Sequence, residues 1–550
     1  MKLLLFCLLA ASCALAGDVQ LVNAHFRTPG GELFIPLGGF YGNWVPTMEG
    51  GVLGPGRNFQ DLDESEWDRW LSLLADHGCT AVRVFCRAHR EWQGHKTEQT
   101  LDAGGHVDPE LWATFERYFA CGAGHGLRFQ MTLLSEPRGS IYVHWAPVVF
   151  AQPQYLKHGW PFHRFVGPQV GQRRLLDSQA EYFTDPEAVA LQKQYLAELL
   201  TKLAEVPNVF TVELYNEMAW NGDFMWETQD VETAWAREMV SVVSGIAPDL
   251  PVCFSLAGHG MTGIDPVRWA KAIPVDFFSS HFYPSISGED ESLDYGASAA
   301  LVHDYAAAVL PGFPGESGVL DPAVPDEARR LALRDCLWLT LAGGGAGYMQ
   351  WPMERQPVAH LTEYRKARDF LSGEDWLAGE AAPAPLTVDI TANCAFFGAS
   401  TSRQEKLESS LLDALRQYER RSLDDCIPLA FTLGPAMADG AVLDEAAFSR
   451  VKPTFRLSPG YQGRYVLSAD GGAGLLYARN YEPLTFGRYH LRQTEPRPFS
   501  LQAHLPPGTY RFTVLDLGSG EEHEVTVQSP GVVWEAPQAE ADYAVKFRRM

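Results

Sequence analysis

The sequence predicts an α/β chain: a (β/α)8 TIM barrel followed by a small α/β unit and a C-terminal β-sandwich. Three observations predict it. Between about residues 34 and 376, short apolar runs alternate with longer amphipathic stretches of helical period. The apolar runs number eight. From about residue 462 the helical period disappears, and runs with strand character follow one another between Gly/Pro turns. Alternating strand and helix implies parallel pairing, because a parallel strand needs a crossover. Eight such repeats suit a closed barrel better than an open sheet.

The strand expectations are Phe34–Gly39, Thr80–Phe85, Leu127–Leu133, Asn208–Leu214, Pro251–Leu256, Asp276–His281, Gly312–Glu316 and Ala346–Trp351. Amphipathic helices are expected over Glu64–Ala75, Asp108–Ala123, Pro186–Ala204, Val231–Ile246, Ser298–Val309 and Pro325–Leu341. A short helix falls near Asp265–Ala272 and a ragged one near Leu361–Phe370. Residues 17–380 form the barrel on this reading, and the Ala/Pro-rich stretch Ala381–Pro385 is a linker. Residues 386–458 make the small α/β unit, from Cys394–Ser400 (strand), Gln404–Arg420 (helix), Ile427–Leu433 (strand) and Leu443–Phe448 (helix). Residues 459–550 make the sandwich, with strands at Arg464–Ser468, Gly474–Asn480, Gly508–Asp516 and Glu522–Val527.

Composition narrows the classes of partner. Hydrophobic residues are 46% and charged residues 20%, a globular balance. Lys+Arg 44 against Asp+Glu 68 leaves a net charge of −24, which repels phosphate backbones and anionic membranes, so no nucleic-acid partner is expected. Met1-Lys2, the apolar run Leu3–Ala11 and Ala14-Leu15-Ala16 read as a secretory signal over residues 1–16, so a secreted or periplasmic protein is expected. A lipid anchor at Cys13 is the rival reading. No later run is long and apolar enough for a transmembrane segment. Beyond the leader stand Cys79, Cys86, Cys121, Cys253, Cys336, Cys394 and Cys426, an odd number without CxxC or Cys/His ligand spacing; buried free thiols are expected.

Active groups of a (β/α)8 barrel sit at the carboxyl ends of its strands. The fourth run ends Val212-Glu213-Leu214-Tyr215-Asn216-Glu217, and the seventh ends Phe313-Pro314-Gly315-Glu316-Ser317-Gly318. Barrel closure puts these two ends across the mouth from each other. Two carboxylates facing across a cleft suit cleavage of a glycosidic bond: one protonates the departing oxygen and the other, ionised, attacks the anomeric carbon. A separation of about 5–5.5 Å gives retention of configuration, and about 6.5–9.5 Å gives inversion. By the period of two, Glu213 shares a face with Tyr215 and Glu217 and points into the barrel. A buried carboxylate requires a partner there, and Arg83 is the candidate. Structural readings stand beside the functional ones: Arg83 as a neutraliser of Glu213, His281 as a rim histidine, Tyr283 as packing and Trp351 as core.

Through these residues the chain resembles the clan A glycoside hydrolases, in the company of the family 5 cellulases and mannanases, over about residues 30–376. The resemblance implies that Glu217 is the acid/base and Glu316 the nucleophile. It implies further that Asn216 binds the sugar 2-hydroxyl, Arg83 orients the nucleophile, and His281 and Tyr283 form the His-x-Tyr ending strand six. Trp351 would floor the sugar site. Two positions depart from the pattern: Met218 stands where Pro often follows the Asn-Glu pair, and Thr132-Leu133-Leu134-Ser135-Glu136 replaces the usual His near the end of strand three. The accessory domains loosely resemble those of family 42-type enzymes. The expected partner is a carbohydrate, with no metal or organic cofactor. Trp44 and Trp220 are weaker stacking candidates, and the aromatic insertion from about Ser135 to Tyr182 is read as a cleft wall. The retaining hydrolase reading stands beside three others: an exo-acting β-galactosidase-like enzyme, an inactive carbohydrate-binding barrel and a metal-dependent barrel hydrolase. The sugar, endo or exo action, and the oligomeric state are left open.

Overall fold

The computed structural model describes residues 19–40, 44–49, 51–58, 62–86, 88–92, 95–99, 106–135, 183–216, 222–256, 272–282, 294–307, 310–319, 323–351, 356–389, 417–432, 445–486, 489–539 and 541–550. Eight parallel strands form one sheet: β1 (Leu37–Phe40), β2 (Ala81–Phe85), β3 (Arg128–Ser135), β4 (Val209–Asn216), β5 (Val252–Leu256), β6 (Phe277–Phe282), β7 (Gly312–Ser317) and β8 (Tyr348–Gln350). The order is β7-β6-β5-β4-β3-β2-β1-β8. Backbone bonds from Ala346 N to Gly312 O (3.2 Å) and from Trp351 N to Ser317 O (3.0 Å) join the eighth strand to the seventh and close the barrel.

The crossover helices are built from local signals. In α1 (Glu64–Asp76), Asp63 and Glu66 make a capping box, and Trp67, Trp70, Leu71 and Leu74 share the buried stripe. In α2 (Pro109–Gly124), Asp108 caps the start and Pro109 presets the first turn. Gly122 has no Cβ to strike the Phe129 ring, which would stand 2.5 Å from one, so the helix lies close on β3. Then follow α3 (Pro186–Leu203), α4 (Gly222–Ile246), α5 (Tyr295–Ala307), α6 (Asp326–Ala342) and α7 (Thr362–Leu371), the last preceded by a 3-10 turn, Val358–Leu361. The short helix expected near Asp265–Ala272 lies almost wholly outside the described residues. Antiparallel hairpins, Trp44–Glu49 with Val52–Asn58 and Ala88–Trp92 with His95–Gln99, follow the first two strands.

The first strand expectation needs correction. Phe34–Gly39 is not one strand. Leu33–Phe34 belongs to a small antiparallel sheet with Gln20–Val22 and His25–Arg27, and β1 begins only at Leu37, after Pro36 interrupts the ladder. That small sheet plugs the amino end of the barrel. Phe26 meets Phe210, Phe277 and Phe313 edge-on at 5.3, 5.3 and 6.1 Å, and Phe34 meets Phe210 at 5.2 Å. The barrel axis therefore runs from an aromatic floor to a charged upper end.

Beyond the barrel, β9 (Leu386–Asp389) and β10 (Leu429–Thr432) pair in parallel beside a helix over 417–425 and a short helix, α8 (Glu445–Arg450). The final sheet contains β11 (Phe455–Leu457), β12 (Tyr461–Leu467), β13 (Ala473–Asn480), β16 (Arg497–Asp516), β17 (Glu522–Ala539) and β18 (Tyr543–Arg549); β14 (Glu482–Phe486) and β15 (Tyr489–Gln493) form a separate hairpin. In β16 the half before Pro506-Pro507 pairs with β11 and the half after pairs with β18. The sheet folds over itself there, around Phe455, Tyr465, Phe499, Phe512 and Phe547. Its other face, with Leu475, Tyr477 and Ala544, joins the main core of the barrel. Among the described residues no helix is long and apolar enough to cross a membrane. The described cysteines, Cys79, Cys86, Cys121, Cys253, Cys336 and Cys426, are unpaired thiols, all buried but Cys121.

Candidate active site

The polar residues of the barrel interior gather at the carboxyl ends of the strands. In β2, Val82 and Val84 face the surrounding helices, while Ala81 and Arg83 face inward, Ala81 over the aromatic floor and Arg83 above it. Arg83 is fully buried and holds three other strand-end residues through one guanidinium. Its Nε and Nη2 stand 2.7 and 2.5 Å from Glu213 Oε2, its Nη2 donates to Asn216 Oδ1 at 2.7 Å, and its Nη1 donates to Glu316 Oε1. Burial alone would lower the pKa of this guanidinium, but the facing carboxylates of Glu213 and Glu316 outweigh it and push the value above the ordinary arginine range. Charge-assisted contacts of this kind are geometrically specific, because the planar fork fixes where each acceptor sits.

On β4, Glu213 is fully buried and also accepts from Thr132 Oγ1 at 2.5 Å. Thr132 stands in the stretch where the resemblance leads one to look for His. Here it supplies a hydroxyl to the carboxylate of the adjacent strand, its register partner. The alternation expected along β4 fails at its end. Tyr215 does not share the face of Glu213; it packs outward, 5.8 Å from Trp235 of α4 and 6.4 Å from Phe183. Leu214 also lies in that outer cluster, so the strand turns here and Asn216 swings in toward Arg83.

On β6 and β7, a register shift between Ser280 and His281 leaves Gly315 as the extra residue and pairs His281 with Glu316. Gly315 is required at this bulge: a Cβ there would lie 1.9 Å from Ser279 Oγ. His281 is buried, with Nδ1 3.5 Å from Glu316 Oε2 and Nε2 4.0 Å from Glu213 Oε1. Glu316 is 5% exposed, which leaves its carboxylate at the edge of the buried cluster rather than in open solvent. Trp351 follows β8, half-buried, its backbone tied to Ser317.

The structure thus brings together Arg83, Asn216, His281 and Glu316, with Trp351 beside the end of β7. Glu217 and Tyr283 lie outside the described residues, as do Trp220, the leader 1–16 and the insertion 136–182; Trp44 is described only as part of a backbone strand. Sequence reading missed Thr132 and Gly315. The period of two from Gln130 gave a signal for Thr132, whereas the bulge at Gly315 had none. Buried below the carboxylates, Cys253 receives a contact from Gln130 Nε2 at 3.5 Å, and burial, with Glu213 adding to it, raises its thiol well above the ordinary value.

These features sit in a barrel shared with known enzymes. Across 74% of this chain and 71% of the other, an exo-β-1,4-mannosidase from Opitutaceae bacterium strain TAV5 superposes with a TM-score of 0.51 at 17% identity. What the two share is the (β/α)8 barrel fold. A GH5_18 enzyme from Streptomyces cattleya in complex with GlcNAc matches at a TM-score of 0.49 and 16% identity, over 73% of this chain and 94% of the other. An endo-1,4-β-mannanase from Rhizomucor miehei matches at 0.47 and 15%, over 64% and 100%. No family model and no curated protein matches the sequence. One group of described residues could hold a metal ion by proximity: Asp68, Cys121 and His125, on the outer helices α1 and α2 rather than at the strand ends.

Proposed function

We propose that the protein is a retaining glycoside hydrolase that cleaves β-linked oligo- or polysaccharides by double displacement. The observation that carries this reading is the single guanidinium of Arg83, which ties the end of β4, at Asn216, to the end of β7, at Glu316. The residue after Asn216 is Glu217. One buried cation therefore links the two segments that bear the proposed acid/base and nucleophile.

In the proposed reaction the Glu316 carboxylate attacks the anomeric carbon. The bond to the leaving oxygen breaks as Glu217 gives that oxygen its proton, and a glycosyl ester forms on Glu316. Glu217, now a carboxylate, takes a proton from water as the water oxygen attacks the same carbon from the opposite face. The ester breaks, Glu316 leaves as a carboxylate, and the sugar keeps its configuration. Arg83 keeps Glu316 ionised and aimed, Asn216 meets the 2-hydroxyl, and Trp351 stacks on the ring. His281 and Tyr283 complete the wall around the nucleophile. No cofactor takes part.

We propose β-mannosides as the first class to assay, since an exo-β-1,4-mannosidase shares the fold. The assay runs β-mannan, β-glucan, xylan and 4-nitrophenyl β-glycosides in parallel, with product anomers read by NMR. The expected first product has retained configuration. Glu316→Ala should cost at least about a thousandfold in kcat, roughly 4 kcal/mol, and azide should restore some product as the inverted glycosyl azide. A Glu316→Ala enzyme with near-native turnover would remove Glu316 as nucleophile.

A further inference from the structure

The C-terminal sheet is joined to the barrel by buried charges, and one branch of that junction ends beside Glu316. Arg479 of β13, fully buried, grips Asp294 with two bonds, Nη1 to Oδ1 at 2.8 Å and Nη2 to Oδ2 at 2.7 Å. Asp294 in turn accepts from Gly296 N and Ala297 N at 3.0 and 3.2 Å, which fixes the first turn of α5. Gly296 lets that turn sit against α6, since a Cβ there would lie 2.3 Å from the Asp335 Cβ. Tyr295, 2% exposed, is the next residue after Asp294, and its hydroxyl accepts the backbone N–H of Gly318 at 2.5 Å. Gly318 is two residues past Glu316. On the other side, Ser317 Oγ and the Tyr348 hydroxyl of β8 are 2.6 Å apart. The end of β7 is thus clamped by two phenols, one of which stands on a helix turn held by the C-terminal sheet.

We propose that the C-terminal sheet sets the position of the Glu316 carboxylate through Arg479, Asp294 and the Tyr295 hydroxyl, and that Tyr295 is a positioning residue for the nucleophile. The sheet is then part of the catalytic unit and not an appended sugar-binding module. The physical reason is geometric. Arg83 fixes one oxygen of Glu316, but the backbone that carries the side chain is free to shift unless its own hydrogen bonds are made, and a misplacement of about 1 Å costs on the order of a hundredfold in rate. The catalytic half of this inference rests on the reading of Glu316 as nucleophile; the mechanical half does not.

The test uses the full chain and three variants: Tyr295→Phe, Asp294→Asn, and Tyr477→Phe as control. Tyr477 donates to Asp335 at 2.5 Å within the same junction but has no bond to the end of β7. Hydrogen exchange of residues 312–319, read without substrate, should speed up by about tenfold at Gly318 in Tyr295→Phe, since one bond worth about 1.4 kcal/mol is lost. Asp294→Asn should raise it less, and Tyr477→Phe should leave it unchanged while lowering Tm. On an aryl β-glycoside that the wild type hydrolyses, Tyr295→Phe should lower kcat by about ten- to a hundredfold with KM held within about twofold. Unchanged exchange at Gly318 in Tyr295→Phe overturns the clamp. Faster exchange in that variant alone, with Asp294→Asn like wild type, overturns the part assigned to the sheet. Faster exchange with kcat intact overturns the positioning role. A wild type that turns over none of the glycosides overturns the proposed function, and the exchange result still decides the clamp.

Discussion

Two buried arginine–carboxylate clusters stand some distance apart in this molecule, and they are balanced differently. In the junction between barrel and C-terminal sheet, the carboxylates of Asp294, Asp335, Glu363 and Asp542 meet Arg334, Arg479 and Arg492, with Arg330 and Lys366 at the edge. Every oxygen of those acids has a partner, including backbone N–H groups and the Tyr477 hydroxyl. At the barrel mouth one Arg83 serves both Glu213 and Glu316, and Glu213 Oε1 has no hydrogen-bond partner among the described residues. Full satisfaction marks a structural joint. At the strand ends a single arginine is shared between two carboxylates, and His281 is the other titratable group against both. A third cluster sharpens the point. Arg464 also faces two acids, Asp304 and Glu419, but away from the strand ends. Burial foremost, with Asp304 adding and Arg464 opposing, pushes Glu419 up to about 8, so a proton resolves that shortage.

The sharpest way to break the comparison is to remove one arginine from each region. Arg83→Met should lower kcat/KM by more than about a thousandfold, and the loss of a buried partner should also cost about 3–5 kcal/mol of stability. Arg492→Met should cost as much or more in stability, since it serves both Asp335 and Asp542, yet the folded fraction should keep kcat/KM within about threefold of wild type. Thermal unfolding and steady-state kinetics on both variants check this. Equal activity losses would erase the distinction between joint and site.

Next comes acid. Burial, with Arg464 and His25 adding, lowers His303 to about 3, and burial, with Arg329 adding most, lowers His360 to about 4. Unfolded, each protonates near its ordinary value of 6.5, so the unfolded chain binds more protons below that pH. Their stabilisation is present above about 6.5 and is lost as pH falls through the folded values. Glu363 and Asp542 add a second loss. Burial would raise both, but Arg334 for the first and Arg492 for the second hold them near 2, so their contribution exists above about 4.5 and fades toward 2. Tm measured from pH 7 down to 3 should fall throughout; a flat curve would contradict the buried-charge account.

A smaller effect has the opposite sign. Glu419 is raised in the folded state, so its contribution is complete below about 4.5 and is lost as pH rises through about 8. Glu419→Gln should therefore flatten the decline of Tm between pH 7 and 8, above the range in which the histidines act, and an unchanged slope there would refute the assignment. Smallest is Thr132→Val, which removes one hydroxyl from Glu213. A loss of about 1–2 kcal/mol in stability and a kcat change within about tenfold are expected from unfolding and rate measurements.

Much of the barrel was legible because parallel strands covered on both faces read as continuous apolar runs, so Ala81–Phe85 and Val252–Leu256 fall within a residue of their expected bounds. Phe34 misled because its apolar character serves the plug rather than the strand. The long strands of the C-terminal sheet were hidden by Pro506-Pro507 and Pro530, which read as turns but sit at the fold-over and within β17. In the site, the inward face of Glu213 followed from the period of two along β4 and its need for a partner pointed to Arg83, whereas Tyr215 broke parity where β4 turns. The contact of Tyr295 with Gly318 leaves no trace in sequence pattern, because it depends on how a helix turn meets a strand end from another repeat.

The central claim is that Glu316 forms the covalent bond to sugar. A 2-deoxy-2-fluoro β-glycosyl fluoride of the preferred sugar, incubated with the wild-type protein and followed by peptic digestion and mass spectrometry, tests it directly. The account predicts inactivation with one sugar equivalent on the peptide spanning residues 312–319, attached at Glu316. Attachment to another carboxylate such as Glu213, or a fully active enzyme that carries no label, would contradict it.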